Sequence, residues 1–533
     1  MPQSSVWLRF IAGCSPTCSL WGIPPLDIGA ALRTKPEREI KHAYPLLYSL
    51  PTPRQAWGEK QKQQHAAWTD LFFDLIFVGV AFQLGTLIKK SFYSCSPYAH
   101  DARLLAESTT SNKSCAGIGY GILYSVAIFR IFFQLWWIDT TDVAKFKVSD
   151  LSHHCIIVFQ YLLVVIAASN IRTLDDYTSD YTYGMVPLVA PLAIWFLISV
   201  LQMLEVALMS HEEGTRRSAG ITIVDVGGAT AFLIVVIVLD VTMKNMPKWL
   251  LPVLLLVASH WWQIRIAWRR IRVLLLSEAH RKEINVMWPK ERTRVPINVE
   301  FAIHRLNEFM LLMIGETVLQ LVIAEVPSDA VSHYGCIAAG FVIVLTILHS
   351  YNSTEPHHAD GHALRRDLLA GVAHISLTSF RTLATMFVGV GMKLILYKSV
   401  VKDVTKQQQV ELHWFLGGSL AVAYLTQMLI LPLHGGIRKY FLQVFSRGKL
   451  ILLLLFRLIC LGVMLGVCAI PMQPWLFSIV QACGAFVQWI CVCIEQSLTP
   501  GEHHKKEEGH HEEIHPSGDS TTTSSPPSQV SRV

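Results

Sequence analysis

Apolar residues fall along this chain in blocks of about twenty, the length an α-helix needs to cross a ~30 Å hydrocarbon core. Twelve blocks are read, at about 71–88, 118–138, 154–170, 184–209, 220–243, 249–268, 300–325, 330–350, 370–397, 412–433, 449–470 and 474–495. They are continuously apolar and lack the period-2 alternation of barrel strands, so helices that satisfy their own backbone hydrogen bonds are expected. The expected fold is all-α: a polytopic transmembrane helix bundle of about 12 spans within residues 67–497, with spans 1–6 over about 71–268 and spans 7–12 over about 300–495. Residues 1–66 mix Pro, Arg and short apolar pieces and read as a partly disordered cytoplasmic arm. Residues 498–533 shift to His, Lys and Glu and then to Ser, Thr and Pro, the composition of a disordered tail.

Composition agrees with this pattern. The chain is 52% hydrophobic and 16% charged, against roughly 25% charged in soluble globular proteins, which argues against an ordinary soluble enzyme. Its net charge of +6 matters through its distribution and is no nucleic-acid footprint. Lys and Arg concentrate after span 6 (Arg269, Arg270, Arg272, Arg281, Lys282, Lys290, Arg292, Arg294) and after span 10 (Arg438, Lys439, Arg447, Lys449). The loops after spans 3 and 7 are acidic, with Asp175, Asp176, Asp180, Glu325 and Asp329. By the positive-inside rule the even-numbered loops and both termini are cytoplasmic, in the plasma membrane or an endomembrane. Asn112-Lys113-Ser114 is then a glycosylation sequon in the first outer loop, flanked by Cys95 and Cys115 as a candidate disulfide.

Ionisable side chains at membrane depth are costly and usually face a bundle interior or an aqueous cavity. On span 7, His304, Glu308, Glu316 and Gln320 follow i+4 spacing as a polar stripe, with Arg305 three residues before Glu308. Gly315, beside Glu316, would allow close approach of a neighbouring backbone or a substrate. On span 1, Asp70 and Asp74 share a face; Asp70 suits an N-cap, whereas Asp74 needs a cation, for which Arg130, Arg305 and Arg381 are the candidates. Two readings stand side by side: an ion or proton pathway using these carboxylates, and buried ion pairs that specify helix packing.

The run Asp70-Leu71-Phe72-Phe73-Asp74-Leu75-Ile76-Phe77-Val78 resembles the E-L-F-F-D-L-V-F-V opening of the low temperature requirement protein A family. Arg305 to Val318, R-L-N-E-F-M-L-L-M-I-G-E-T-V, is similar to that family's second signature, closest to its eukaryotic branch. The resemblance covers roughly residues 60–495. It departs at Leu348-His349-Ser350-Tyr351-Asn352, where the family often carries a Trp-Trp-x-Tyr-Phe end to the eighth span. The resemblance implies a multi-pass membrane protein whose bacterial namesake is needed for growth in the cold, and no established substrate or reaction. It also directs attention to an internal repeat. Spans 1 and 7 both carry acidic residues near their starts and a Gln-Leu pair later, so a 6+6 parallel pseudo-repeat is a candidate arrangement.

The expected function is that of a transporter or channel-like protein for a small ion or solute, using Asp74, Arg130, His304, Arg305, Glu308, Glu316, Gln320 and Arg381. The alternative is a non-transporting sensor or scaffold that acts through the basic loop 269–294 on anionic lipid or a partner. No Walker A, Gly-x-Ser-x-Gly or His-Glu-x-x-His motif occurs, so no enzyme activity and no cofactor are expected. His357, His358 and His362 are weak metal candidates beside the simpler reading of a solvated loop.

Overall fold

The computed structural model describes residues 48–55, 68–93, 118–148, 150–172, 185–243, 247, 249–275, 294–323, 330–356, 361–400, 406–436, 440 and 448–498. Cys95, Cys115, Asn112, His357, His358, most of the basic loop 269–294 and most of both terminal segments lie outside them. The described helices are α1 (Trp68–Tyr93), α2 (Ile118–Lys145), α3 (Leu151–Ser169), α4 (Val186–Met209), α5 (Glu213–Thr242), α6 (Leu250–Leu275), α7 (Val299–Val322), α8 (Ala330–Thr354), the single-turn α9 (Ala363–Arg366), α10 (Leu368–Val400), α11 (Lys406–Gly435), α12 (Gly448–Cys468) and α13 (Pro474–Leu498). One antiparallel pair, β1 (Thr52–Pro53) with β2 (Phe146–Lys147), sets Thr52 opposite Lys147.

Among the described residues, eleven helices are long and apolar enough to cross a membrane, one fewer than the twelve blocks suggest. The exception is α7, in which Glu300, Arg305, Glu308 and Glu316 leave no sufficiently uncharged window. Its apolar side is nonetheless deep in the bundle: Phe309, Met310 and Met313 are buried. Lipid-facing character is clear elsewhere. Leu197, Leu201, Leu204 and Leu208 form one exposed stripe on α4, a surface that would be a liability in water and is matched to hydrocarbon. The helix contacts do not show a 6+6 repeat.

The chain divides into two compact units, Met1–Ser49 with Ser149–Ile156, and the remainder. In the small unit Asp150 precedes α3 and accepts hydrogen bonds from the His153 amide at 3.0 Å and the Ser49 amide at 2.5 Å, while the His153 ring stacks on Tyr48. Burial would raise the Asp150 carboxyl, but these bonds and the His153 imidazole hold it below the ordinary value. A depressed folded-state pKa contributes stability above the unfolded Asp value of about 3.9, and that contribution is lost as pH falls through the folded value. Asp150→Ala should therefore cost about 1 kcal/mol at neutral pH and little in acid, seen as faster amide exchange in the first turn of α3. Equal exchange in the variant and the parent at neutral pH would count against this cap.

In the larger unit α1 packs against α2, α7 and α10, and α7 lies along α10. Asn298 caps α7 by accepting from the Phe301 amide at 3.1 Å. Its own amide donates to the Ala144 carbonyl, tying the start of α7 to the end of α2. The close approach expected at Gly315 occurs elsewhere: a Cβ on Gly315 would meet nothing within 4 Å, whereas one on Gly389 of α10 would lie 2.8 Å from Thr317 Cα. Only glycine at 389 lets the two backbones come so near, and the Thr317 hydroxyl then donates to the Thr385 carbonyl at 3.0 Å.

Candidate functional site

The three helices α1, α2 and α7 meet at an ion pair. Arg305 Nη1 and Nη2 donate to the two carboxylate oxygens of Asp74 at 2.7 and 2.8 Å, and Trp136 Nε1 donates to Oδ1 at 2.8 Å. Arg305 Nη2 also donates to the Asp70 carbonyl at 3.1 Å, and Nη1 to Glu308 at 3.0 Å. A forked guanidinium matched to a carboxylate is the strongest form of this interaction. Asp74 and Arg305 are 0% and 1% exposed, so the pair itself is dry. Phe73, Phe77, Phe133 and Phe309 form the apolar wall around it, with Phe309 4.4 Å from the Trp136 ring. At its rim the Glu308 side chain is 21% exposed and reaches His304, 52% exposed, at 3.2 Å.

Of the three cations open to Asp74, Arg305 is the partner, while Arg130 and Arg381 lie in separate environments. Asp70 falls two residues inside α1 and so does not cap it. The polar stripe of α7 also divides. Glu316, buried and turns away from Glu308, contacts Gln320 and feels the charge of Lys393, and its second oxygen has no hydrogen-bond partner among the described residues.

Arg381 of α10 donates to Glu355 Oε1 at 2.6 Å, just beyond the end of α8, and stacks over the Tyr351 ring at 4.5 Å. Around the other Glu355 oxygen stand His362 and His374, each with Nε2 at 3.5 Å, and His434 at 3.4 Å. All four side chains are buried, and their potential ligand atoms lie within 4.8 Å of one another. Burial opposes ionisation of Glu355, but Arg381 and the imidazoles hold its carboxyl well below the usual range. Burial lowers His362, with Glu355 working in the opposite direction. Of the three weak metal candidates, His357, His358 and His362, only His362 falls among the described residues; it is buried, and its companions here are Glu355, His374 and His434. Glu355 and His434 carry no motif: the four come from the end of α8, the cap of α9, α10 and α11, a grouping that only the fold creates.

Arg130 of α2 is different from every other buried arginine described. Arg265 pairs with Asp225, Arg305 with Asp74, Arg381 with Glu355 and Arg457 with Glu495. Arg130, 1% exposed, has no carboxylate partner among the described residues. Its Nη2 donates to Gln263 at 3.4 Å, and its guanidinium lies 5.2 Å from the Phe380 ring and 5.8 Å from Phe133. Nε and Nη1 have no partner among the described residues. Phe380 also lines an open apolar cleft of about 270 Å³ between α2, α10 and α11, with Val126, Phe387 and Trp414.

A family model described as Bacterial low temperature requirement A protein (LtrA) matches residues 65–487. No curated protein and no solved structure gives a match.

Proposed function

The chain belongs to the low temperature requirement A family, and from that premise we propose that it is a transporter or channel-like protein for a small anionic solute, with Arg130 as the substrate contact. The observation that carries this reading is the uncompensated guanidinium of Arg130 in the middle of the bundle. A buried cation without a partner is destabilising by several kcal/mol, and its retention is understandable if an anion takes the missing place. Two unused donor nitrogens, Nε and Nη1, suit a planar or tetrahedral oxyanion or a halide. The aromatic faces of Phe133 and Phe380 offset part of the charge between binding events, and the neighbouring apolar cleft supports tolerance of an anion that carries a hydrocarbon group.

In this reading the Asp74–Arg305 pair is a fixed joint between α1 and α7. Glu308 and His304 form its half-exposed edge, and both chain termini are cytoplasmic. One observation favours a second reading, a non-transporting sensor or scaffold working through its basic loop: the Asp74–Arg305 pair is buried, at 0% and 1% exposed, as a packing joint would be. The two separate in phosphatidylcholine vesicles carrying the purified chain and tested in turn with chloride, nitrate, acetate and phosphate. Flux of at least one anion should exceed that of protein-free vesicles and scale with the amount of protein reconstituted. A chain lacking residues 276–293 should retain that flux. No flux with any of the four anions would overturn the transport reading.

A further inference from the structure

The geometry points to a divalent transition-metal site, best suited to Zn²⁺, formed by Glu355, His362, His374 and His434. In a buried ion-pair cage, imidazole N–H groups would approach the carboxylate at 2.7–3.2 Å. Here all three Nε2 atoms stop at 3.4–3.5 Å from Glu355 Oε2. Bonds of about 2.0–2.1 Å around a tetrahedral zinc put ligand atoms roughly 3.3 Å apart, so the four atoms surround a point at nearly the spacing of a coordination shell. The widest pairs, within 4.8 Å, would draw inward on an ion.

Unused bonding capacity supports the same conclusion. Both ring nitrogens of His374 and Nε2 of His434 lack hydrogen-bond partners among the described residues, and His374 is 1% exposed. An imidazole buried with two empty nitrogens is costly, and coordination of one removes much of that cost. The carboxylate is divided between two tasks: Oε1 accepts from Arg381 at 2.6 Å, leaving Oε2 turned to the histidines. Arg381 thereby orients a ligand, as outer partners of metal sites commonly do. Its positive charge opposes an incoming cation. Two features act the other way, because α8 and α11 both end at the site and direct their negative C-terminal dipoles toward it.

Occupation has a definite local consequence. The Leu364 amide donates to His362 Nδ1 and the Ala363 amide to His434 Nδ1, both at 3.2 Å. Those bonds require unprotonated Nδ1, so each neutral ring carries its proton on Nε2. Coordination of a neutral ring through Nε2 moves that proton to Nδ1, which then can no longer accept from the amide, so the ion reorganises the cap of α9. Four protein ligands leave no open position, so the ion is structural and ties α8, α9, α10 and α11 together.

Metal analysis of the full chain, incubated with Zn²⁺ in detergent and dialysed, should give about one zinc per chain. Glu355→Gln and His374→Gln should each lower zinc affinity by at least about tenfold, and Co²⁺ in the parent should show the visible spectrum of a four-coordinate ion. Replacing His503, His504, His510, His511 and His515 of the tail by Gln should leave the zinc in place. If the site variants fail to fold, the Co²⁺ spectrum and a chelator-dependent fall in melting temperature in the parent decide the matter. Monodisperse parent protein that holds well below one zinc and gives no four-coordinate Co²⁺ spectrum overturns the site. So does zinc that is lost with the tail histidines but retained in His374→Gln.

Discussion

Arg305→Met is expected to destabilise the protein by about 3–5 kcal/mol, because it leaves the Asp74 carboxylate buried without its cation. The loss includes both arms of the fork at 2.7 and 2.8 Å and the bond to the Asp70 carbonyl. Trp136 alone would remain on Asp74, and a single neutral donor does not compensate a buried anion. Asp74→Leu combined with Arg305→Met should recover most of the loss, since apolar replacement of a whole buried pair is often neutral or stabilising. Thermal unfolding in detergent of the two single variants and the double variant supplies the cycle that isolates the coupling. An Arg305→Met chain as stable as its parent would show that the pair does not join α1 to α7.

How much of this was legible in the sequence depends on the range over which each feature acts. The apolar blocks located the helices, and local i+4 spacing singled out Asp74 and the α7 stripe, since both are properties of one helix. Arg305 could be narrowed to one of three partners for Asp74 but not chosen, because the pair spans 231 positions. Gly315 drew attention by its neighbour Glu316, yet the true close approach is made by Gly389, whose contact with Thr317 depends on the helix crossing. His362 was visible as one histidine among several in a loop. Its companions Glu355, His374 and His434 belong to separate elements and have no common spacing. Arg130 was recognisable as a membrane-depth charge. Its lack of a carboxylate is a property of the assembled bundle, which no local pattern records.

That missing partner leads to the second large effect. Arg130→Met removes an uncompensated buried charge and keeps an unbranched apolar stem against Phe133 and Phe380. The change should raise stability, in the direction of the gain of about 1–4 kcal/mol seen when buried ion pairs give way to well-packed apolar groups, opposite in sign to Arg305→Met. A gain in stability together with loss of activity is the pattern of a residue kept for function. Were Arg130 held instead by its bond to Gln263 and its two ring contacts, the same substitution would destabilise the chain.

The central claim, that Arg130 receives the transported anion, is tested most directly by anion flux through vesicles carrying equal amounts of folded parent and Arg130→Met protein. Loss of a charge-assisted hydrogen-bond donor is worth about 1.5–3 kcal/mol, so flux in the variant at low anion concentration should fall roughly ten- to hundredfold. Flux in Arg130→Met equal to that of the parent would contradict the claim.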